Sequence, residues 1–162
     1  MRKGLEPLGD KNSAVLILST MAGDMSLAAG QYYADPRNQF WKIMHILFKE
    51  IDPKAPYKER IDALSKHRIA LWDVLESSYR TGSTDKKIHS QKPNDLQSIL
   101  MKYPEIKVVF LNGRGAKDNL PKLQDENRYD VEILPSSSGS NTRMTIAQKA
   151  EKWKILKKFI HN

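Results

Sequence analysis

The sequence predicts a three-layer α/β/α domain with a short, mainly parallel four-stranded sheet at its centre. Two continuous apolar runs, Ala14–Leu18 and Ile106–Leu111, are rich in β-formers. Runs of that kind belong to strands covered on both faces, as in parallel sheets. Segments with helical spacing lie between and after these runs, and alternation of the two types implies right-handed crossovers. At 162 residues and 40% hydrophobic, the chain fits one compact domain with a sizeable core, and no internal repeat or linker divides it.

The elements follow in order. Residues 1–12 are polar, carry Gly4, Pro7 and Gly9, and read as a lead-in arm. Ala14–Leu18 is the first buried strand, and a loop with Gly23 and Gly30 leaves it. Asp35-Pro36 offers an N-cap and a proline at the first helical position. Phe40, Met44, Leu47, Phe48 and Ile51 then recur at helical spacing until Asp52-Pro53 stops the helix. Residues 57–66 suggest a short helix, Ile69–Trp72 a short strand or extended segment, and Ser77–Gln91 an exposed polar loop.

Pro93-Asn94-Asp95 announces a helix through about Lys102. The strand Ile106–Leu111 follows and ends in Asn112-Gly113. A helix or irregular turn containing Pro121 leads to a strand at Val131–Leu134, and Ser136–Ser140 is a small-residue loop. Thr145 and Gln148 form a capping pattern. Beyond it, Ile146, Ala150, Trp153, Leu156 and Ile160 make one apolar stripe opposite a Lys-rich face. Trp41, Trp72 and Trp153 are assigned to the core.

In such a fold, ligands bind beyond the carboxyl ends of the strands. Three loops dense in small and polar residues leave those ends: residues 19–38, 112–117 and 135–144. Composition narrows what could bind there. Twenty-seven basic against nineteen acidic residues give a formal charge of +8, which favours a polyanionic partner. The absence of cysteine excludes disulfides, zinc–thiolate sites and iron–sulfur clusters. His45, His67, His89 and His161 are scattered without ligand spacing, so no metal site is expected. No apolar run approaches the roughly 20 residues that cross a bilayer, and no signal-peptide core follows the first residues. The reading is a soluble, cytoplasmic protein.

The loop after the first strand is distinctive. Leu18-Ser-Thr-Met-Ala-Gly23, with the block from Ser26 through Gln31-Tyr-Tyr-Ala-Asp-Pro-Arg-Asn-Gln-Phe-Trp41, resembles the first motif of the uracil-DNA glycosylase superfamily. The resemblance is greatest to the deoxyinosine (hypoxanthine) DNA glycosylase branch. Ile69–Leu75, Phe110–Gly113 and Leu134–Asn141 continue it in the family's order, over about residues 12–157. It implies a four-stranded parallel sheet, no cofactor, no metal and no membrane. It also implies a monomer acting on double-stranded DNA that contains a deaminated or mismatched base. The target nucleotide must leave the stack, because its C1′ and base edge are inaccessible within it. Cleavage passes through an oxocarbenium-like sugar, so water must be held near C1′ and negative charge on the departing base must be stabilised.

On this resemblance Asn38 is the first catalytic candidate, since its amide can donate and accept and so orient water or bond the base. Tyr33 stands where relatives stack an aromatic ring on the flipped base, worth about 1–3 kcal/mol; Tyr32 is assigned to packing. Ser136, Ser137 and Ser138 resemble the motif that grips phosphates. Gly139 would permit close approach, and Asn141 and Arg143 would contact the strand beyond. Asn112, at another strand end, is a base or backbone contact, or a plain turn residue.

Where relatives usually have Gly-Ser, this chain has Ser19-Thr20, and Asp35 replaces a common histidine. Met21 occupies the place of an asparagine that positions water in the mismatch-specific branch, and a thioether cannot do that. Met21 is therefore read as a base-binding residue without a role in positioning water. Catalysis then leans on Asn38, on backbone groups, or on an ionised Asp35 as water base or cation stabiliser; helix capping is the other role for Asp35. The C-terminal lysines, Lys149 among them, read as a solvated face or a source of phosphate attraction.

No lysine nucleophile is implied, so the expected activity is a monofunctional glycosylase for hypoxanthine, uracil or mismatched thymine. The rivals are a relative that binds damaged DNA without cutting, and an unrelated nucleotide-binding α/β protein. The latter has no GxGxxG or P-loop to support it.

Overall fold

The computed structural model describes residues 4–76 and 92–160. The Ser77–Gln91 loop expected above, with His89 and His161, lies outside the described residues.

Four strands, β1 (Val15–Ser19), β2 (Ile69–Asp73), β3 (Val108–Asn112) and β4 (Asp130–Leu134), form an all-parallel sheet in the order β2-β1-β3-β4. Residues alternate across it, and both faces are buried along β1 and β3, which is why these strands are apolar up to their terminal Ser19 and Asn112, whereas the edge strand β4 is largely exposed. On one face Val15, Ile17, Leu71, Val108 and Phe110 pack under α2 (Phe40–Leu47), α3 (Tyr57–Lys66) and α6 (Ile146–Trp153). On the other, Leu16, Leu18, Ala70, Val109 and Leu111 pack under α4 (Leu96–Lys102) and α5 (Arg114–Asn119). The three-layer expectation holds. Because β1 leads outward to β2 and β3 leads outward to β4, the strand order reverses between β1 and β3, and a crevice opens at their carboxyl ends.

The lead-in arm is docked rather than trailing. Leu8 bridges to Leu71, Trp72 Nε1 donates to the Leu5 carbonyl (3.0 Å), and Tyr103 Oη donates to the Gly9 carbonyl (3.1 Å). These contacts cover the open edge of β2. They also leave Trp72 half-buried at that edge, while Trp41 and Trp153 lie in the core.

Three local expectations are corrected. The loop after β1 contains a helix, α1 (Asp24–Ala29), set between Gly23 at its N-cap and Gly30 in a left-handed conformation at its C-cap (φ 67°). With so few residues between two glycines, the segment carries too little helical periodicity to be read as one. Asp35 does not cap α2. Asp35–Asn38 is a turn closed by Asn38 N–H to the Asp35 carbonyl (2.9 Å), and α2 starts at Phe40, whose N–H is taken by Asn38 Oδ1 (2.9 Å). Finally, the C-terminal capping box between Thr145 and Gln148 is present, but Lys149 is not on a solvated face. It is fully buried, its ammonium donating to Gln39 Oε1 (2.8 Å) and the Ser138 carbonyl (3.2 Å).

Candidate active site

A cleft of about 1020 Å³ opens at the carboxyl ends of the strands. Ser19, Asp73 and Asn112 come from the strand ends, Met21 and Tyr33–Asn38 from the loop after β1, and Ser136–Gly139 from the loop after β4. Tyr33, Asn38 and the serine loop, read as one site from the sequence, do line one cavity, and it is not filled by apolar packing.

A chain of hydrogen bonds holds these loops in register. Asn112, 8% exposed, donates through Nδ2 to Ser137 Oγ (2.9 Å) and Tyr33 Oη (3.3 Å), while its Oδ1 accepts the Ser137 N–H (2.9 Å). Ser137 Oγ donates onward to Asn38 Oδ1 (2.8 Å). The Gln39 N–H bonds the Ser137 carbonyl at 2.7 Å. Asn38 Oδ1 thus accepts two hydrogen bonds, which fixes its amide orientation. Its Nδ2 has no partner among the described residues, so one donor of a cleft-lining amide is left for a ligand.

Tyr33 is over-determined. Its backbone is left-handed (φ 57°), a costly state for a non-glycine residue that persists where surroundings enforce it. Its ring stacks on Phe40 (centroids 3.9 Å apart, 14° between planes), and its hydroxyl shares a hydrogen bond with Ser19 Oγ. Burial raises the phenol well above its ordinary value, so it stays protonated. One face of the ring is taken by Phe40.

The serine loop divides into two roles. Ser137 is wholly buried, so its hydroxyl cannot reach a phosphate here and serves as the link between Asn112 and Asn38. Ser136 and Ser138 are half-buried and line the cleft. Gly139 sits so close to the first loop that an added Cβ would meet the Arg37 carbonyl oxygen at 2.4 Å. Gly113 (φ +94°) likewise leaves no room for a Cβ, which would lie 2.9 Å from Ser136 Cβ. Asn141 bonds the Ser136 carbonyl (3.1 Å) and closes the loop on itself, and Arg143 is exposed. Asp35 lies at the rim, its carboxylate held by Arg37 (2.8 Å) and lowered in pKa by the side-chain and backbone hydrogen bonds from that residue. That makes it a persistent anion and a weak base.

Sequence reasoning missed Asp73. It ends β2 beside Ser19 in the parallel register, is 3% exposed, and lines the cleft. Burial pushes its carboxyl up to about 7. A charged residue ending a buried strand, where parallel sheets bind ligands, was the available signal. Lys149, which ties the serine loop to the start of α2, had no such signal.

The fold and cleft define an α/β protein whose ligand enters at the topological switch point. A profile of the Uracil DNA glycosylase superfamily matches residues 6–160, and the chain belongs to that superfamily. It is 34% identical over 149 residues to a hypoxanthine DNA glycosylase of Methanosarcina barkeri, covering 92% of this chain and 94% of that one. A hypoxanthine DNA glycosylase of Methanosarcina acetivorans is 33% identical over 152 residues, covering 93% and 95%. Among solved structures, a solution NMR structure of a candidate uracil DNA glycosylase from Methanosarcina acetivorans superposes with a TM-score of 0.77 at 29% identity, covering 99% of each chain. No helix among the described residues is long and apolar enough to cross a membrane.

Proposed function

We propose that the protein is a monofunctional DNA glycosylase that extrudes a deaminated base from duplex DNA and hydrolyses its N-glycosidic bond. Hypoxanthine is the foremost substrate, in line with the two relatives of that name, and uracil and mismatched thymine are secondary. The observation that carries the reading is the Asn38 amide, locked through Oδ1 and offering an unused Nδ2–H to the cleft.

In this reading the free face of Tyr33 stacks on the base and Asn38 Nδ2 donates to the departing base or the attacking water. A fixed donor aimed at developing charge is worth about 10²–10³ in rate. The Asp35 carboxylate, ionised at the rim, favours the oxocarbenium-like sugar rather than abstracting a proton. Ser136, Ser138 and the loop amides take the phosphates beside the vacated position, with Arg143 supplying charge. Asn112 and Ser137 position these groups. Met21 lines the pocket and packs against the second core cluster.

The test uses duplexes carrying a single inosine, uracil or mismatched thymine, incubated with protein and treated with alkali to break abasic sites. Breaks at inosine with wild type, lost in Asn38→Ala, are the expected result. Tight binding with no base release from any duplex would overturn the enzymatic reading in favour of a damage-binding protein.

A further inference from the structure

Lys149 is fully buried, and no carboxylate pairs with it among the described residues. The two groups that meet its ammonium are neutral oxygens, Gln39 Oε1 at 2.8 Å and the Ser138 carbonyl at 3.2 Å. A buried ammonium held only by neutral acceptors is costly. Its use lies in the two groups that it orients.

An ammonium has donors and no acceptor, so whatever faces it must turn an oxygen toward it. For Gln39 this fixes the amide. Oε1 is turned inward, and Nε2, which has no partner among the described residues, is turned the other way. Gln39 lines the cleft and Lys149 does not, so the free Nε2–H faces the ligand side. The Ser138–Gly139 peptide is fixed alike. It is trans, and in a trans peptide C=O and N–H point in opposite directions, so an inward carbonyl turns the Gly139 N–H outward. That N–H also has no acceptor among the described residues. One hidden ammonium thus leaves two cleft-lining donors unspent, one at the start of α2 and one in the loop after β4. The acceptor that a duplex presents at the mouth of a cleft is phosphate oxygen.

We propose that Gln39 is a further DNA-binding residue and Lys149 its positioning residue. Gln39 Nε2 and the Gly139 N–H grip one backbone phosphate beside the extruded nucleotide, and the Lys149 ammonium holds both donors toward it without touching DNA. The proposal rests on the glycosylase reading above. Hydrogen bonds to an ionised oxygen are stronger than those between neutral groups, so two fixed donors make an effective grip. Because Lys149 works from behind, its loss weakens binding without changing the number of cations on DNA.

The experiment measures affinity for duplexes carrying 2′-fluorodeoxyinosine, whose electron-withdrawing fluorine disfavours the oxocarbenium-like sugar and keeps the bond intact. Each phosphate near that nucleotide is replaced in turn by neutral methylphosphonate, for wild type, Gln39→Glu and Lys149→Met. Glutamate keeps the oxygen that faces Lys149 and gives the ammonium a counter-charge, but it puts an oxygen where the phosphate needs an N–H. Gln39→Glu should therefore melt no lower than wild type, yet bind the unmodified duplex at least about tenfold more weakly. One methylphosphonate should weaken wild type by about tenfold and have no such effect on either variant, while the other positions cost all three proteins alike. Wild-type affinity in Gln39→Glu, or the same scan profile in all three proteins, overturns the proposal. Should one variant misfold, the scan on the other decides. If wild type releases no base from any inosine, uracil or mismatched-thymine duplex, the glycosylase reading itself has failed. If it excises hypoxanthine and the scan profile is the same in every protein, only this inference has.

Discussion

Ser137 Oγ lies 2.8 Å from Asn38 Oδ1 and donates to it, joining the loop after β4 to the loop after β1 across 99 residues of chain. The same hydroxyl accepts from Asn112 Nδ2 at the end of β3, so the ends of β3 and β4 both reach Asn38 through one serine. The geometry of the amide is therefore a property of the sheet rather than of its own loop. Replacing Ser137 with alanine would take one of the two acceptors from Asn112 Nδ2 and release one of the two bonds that orient Asn38. We expect Ser137→Ala to cost about 1–3 kcal/mol in stability. We also expect it to lower kcat on inosine-containing duplex more than it raises KM, as steady-state kinetics beside a thermal melt would show.

Asn38→Asp separates orientation from donation. The carboxylate still accepts from Ser137 and Phe40 but removes the free N–H and adds charge to the cleft. A drop in kcat of about 10²–10³ is expected, as for loss of a single fixed donor. Single-turnover rates at saturating enzyme measure it; a near-normal rate would mean that the N–H is not the working group.

How far this was legible in the sequence follows from where each signal lies. Ala14–Leu18 and Ile106–Leu111 announce a parallel sheet because burial on both faces leaves no polar position. Thr145 and Gln148 announce α6 because a capping box is local. Asp35-Pro36 misled for the same reason: local pattern suits a cap, but Arg37 claims the carboxylate and the helix begins one turn later. Lys149 was read as solvent-facing and Ser137 as a phosphate contact because their partners, Gln39, Asn38 and Asn112, are distant in sequence and meet only once the sheet is built. Asp73 was passed over within a short apolar strand, though its position at the strand end was visible.

Gly139 tests whether the two loops must touch. An alanine there would place Cβ 2.4 Å from the Arg37 carbonyl oxygen, a backbone atom that cannot step aside alone. Gly139→Ala should push the loops apart, lowering stability by about 1–3 kcal/mol and weakening duplex binding. Chemical denaturation and a fluorescence-anisotropy titration report the two effects. Full retention of both would show that the loops separate freely.

Lys149 and Arg143 should behave oppositely toward salt. Arg143 is exposed beside the serine loop, whereas the Lys149 ammonium is spent on Gln39 and the Ser138 carbonyl. Removing a phosphate-contacting cation reduces the slope of log K against log salt by about one. Arg143→Ala should do so and remain as stable as wild type. Lys149→Met should leave the slope unchanged but destabilise by about 1–3 kcal/mol, through two acceptors left bare. A reduced slope in Lys149→Met would place that ammonium on DNA.

The buried Asp73 carboxyl carries a stability cost with a defined pH dependence. Burial raises its carboxyl from an ordinary 3.8 to about 7, so between these values the folded protein binds a proton that the unfolded chain has released. Stability contributed by this group is therefore greatest below about 4, falls as pH rises, and levels off above about 7. The Tyr32 and Tyr33 phenols beside it stay neutral across that range and do not offset its charge. An asparagine, which never ionises, should remove the penalty. Asp73→Asn is expected to be more stable than wild type by about 2–4 kcal/mol at a pH above 7, a Tm gain of about 5–10 °C. The gain should shrink toward zero at a pH near 4, where both side chains are neutral. Melts of the two proteins across that range decide it. A gain independent of pH would mean that the carboxyl does not ionise in the folded state.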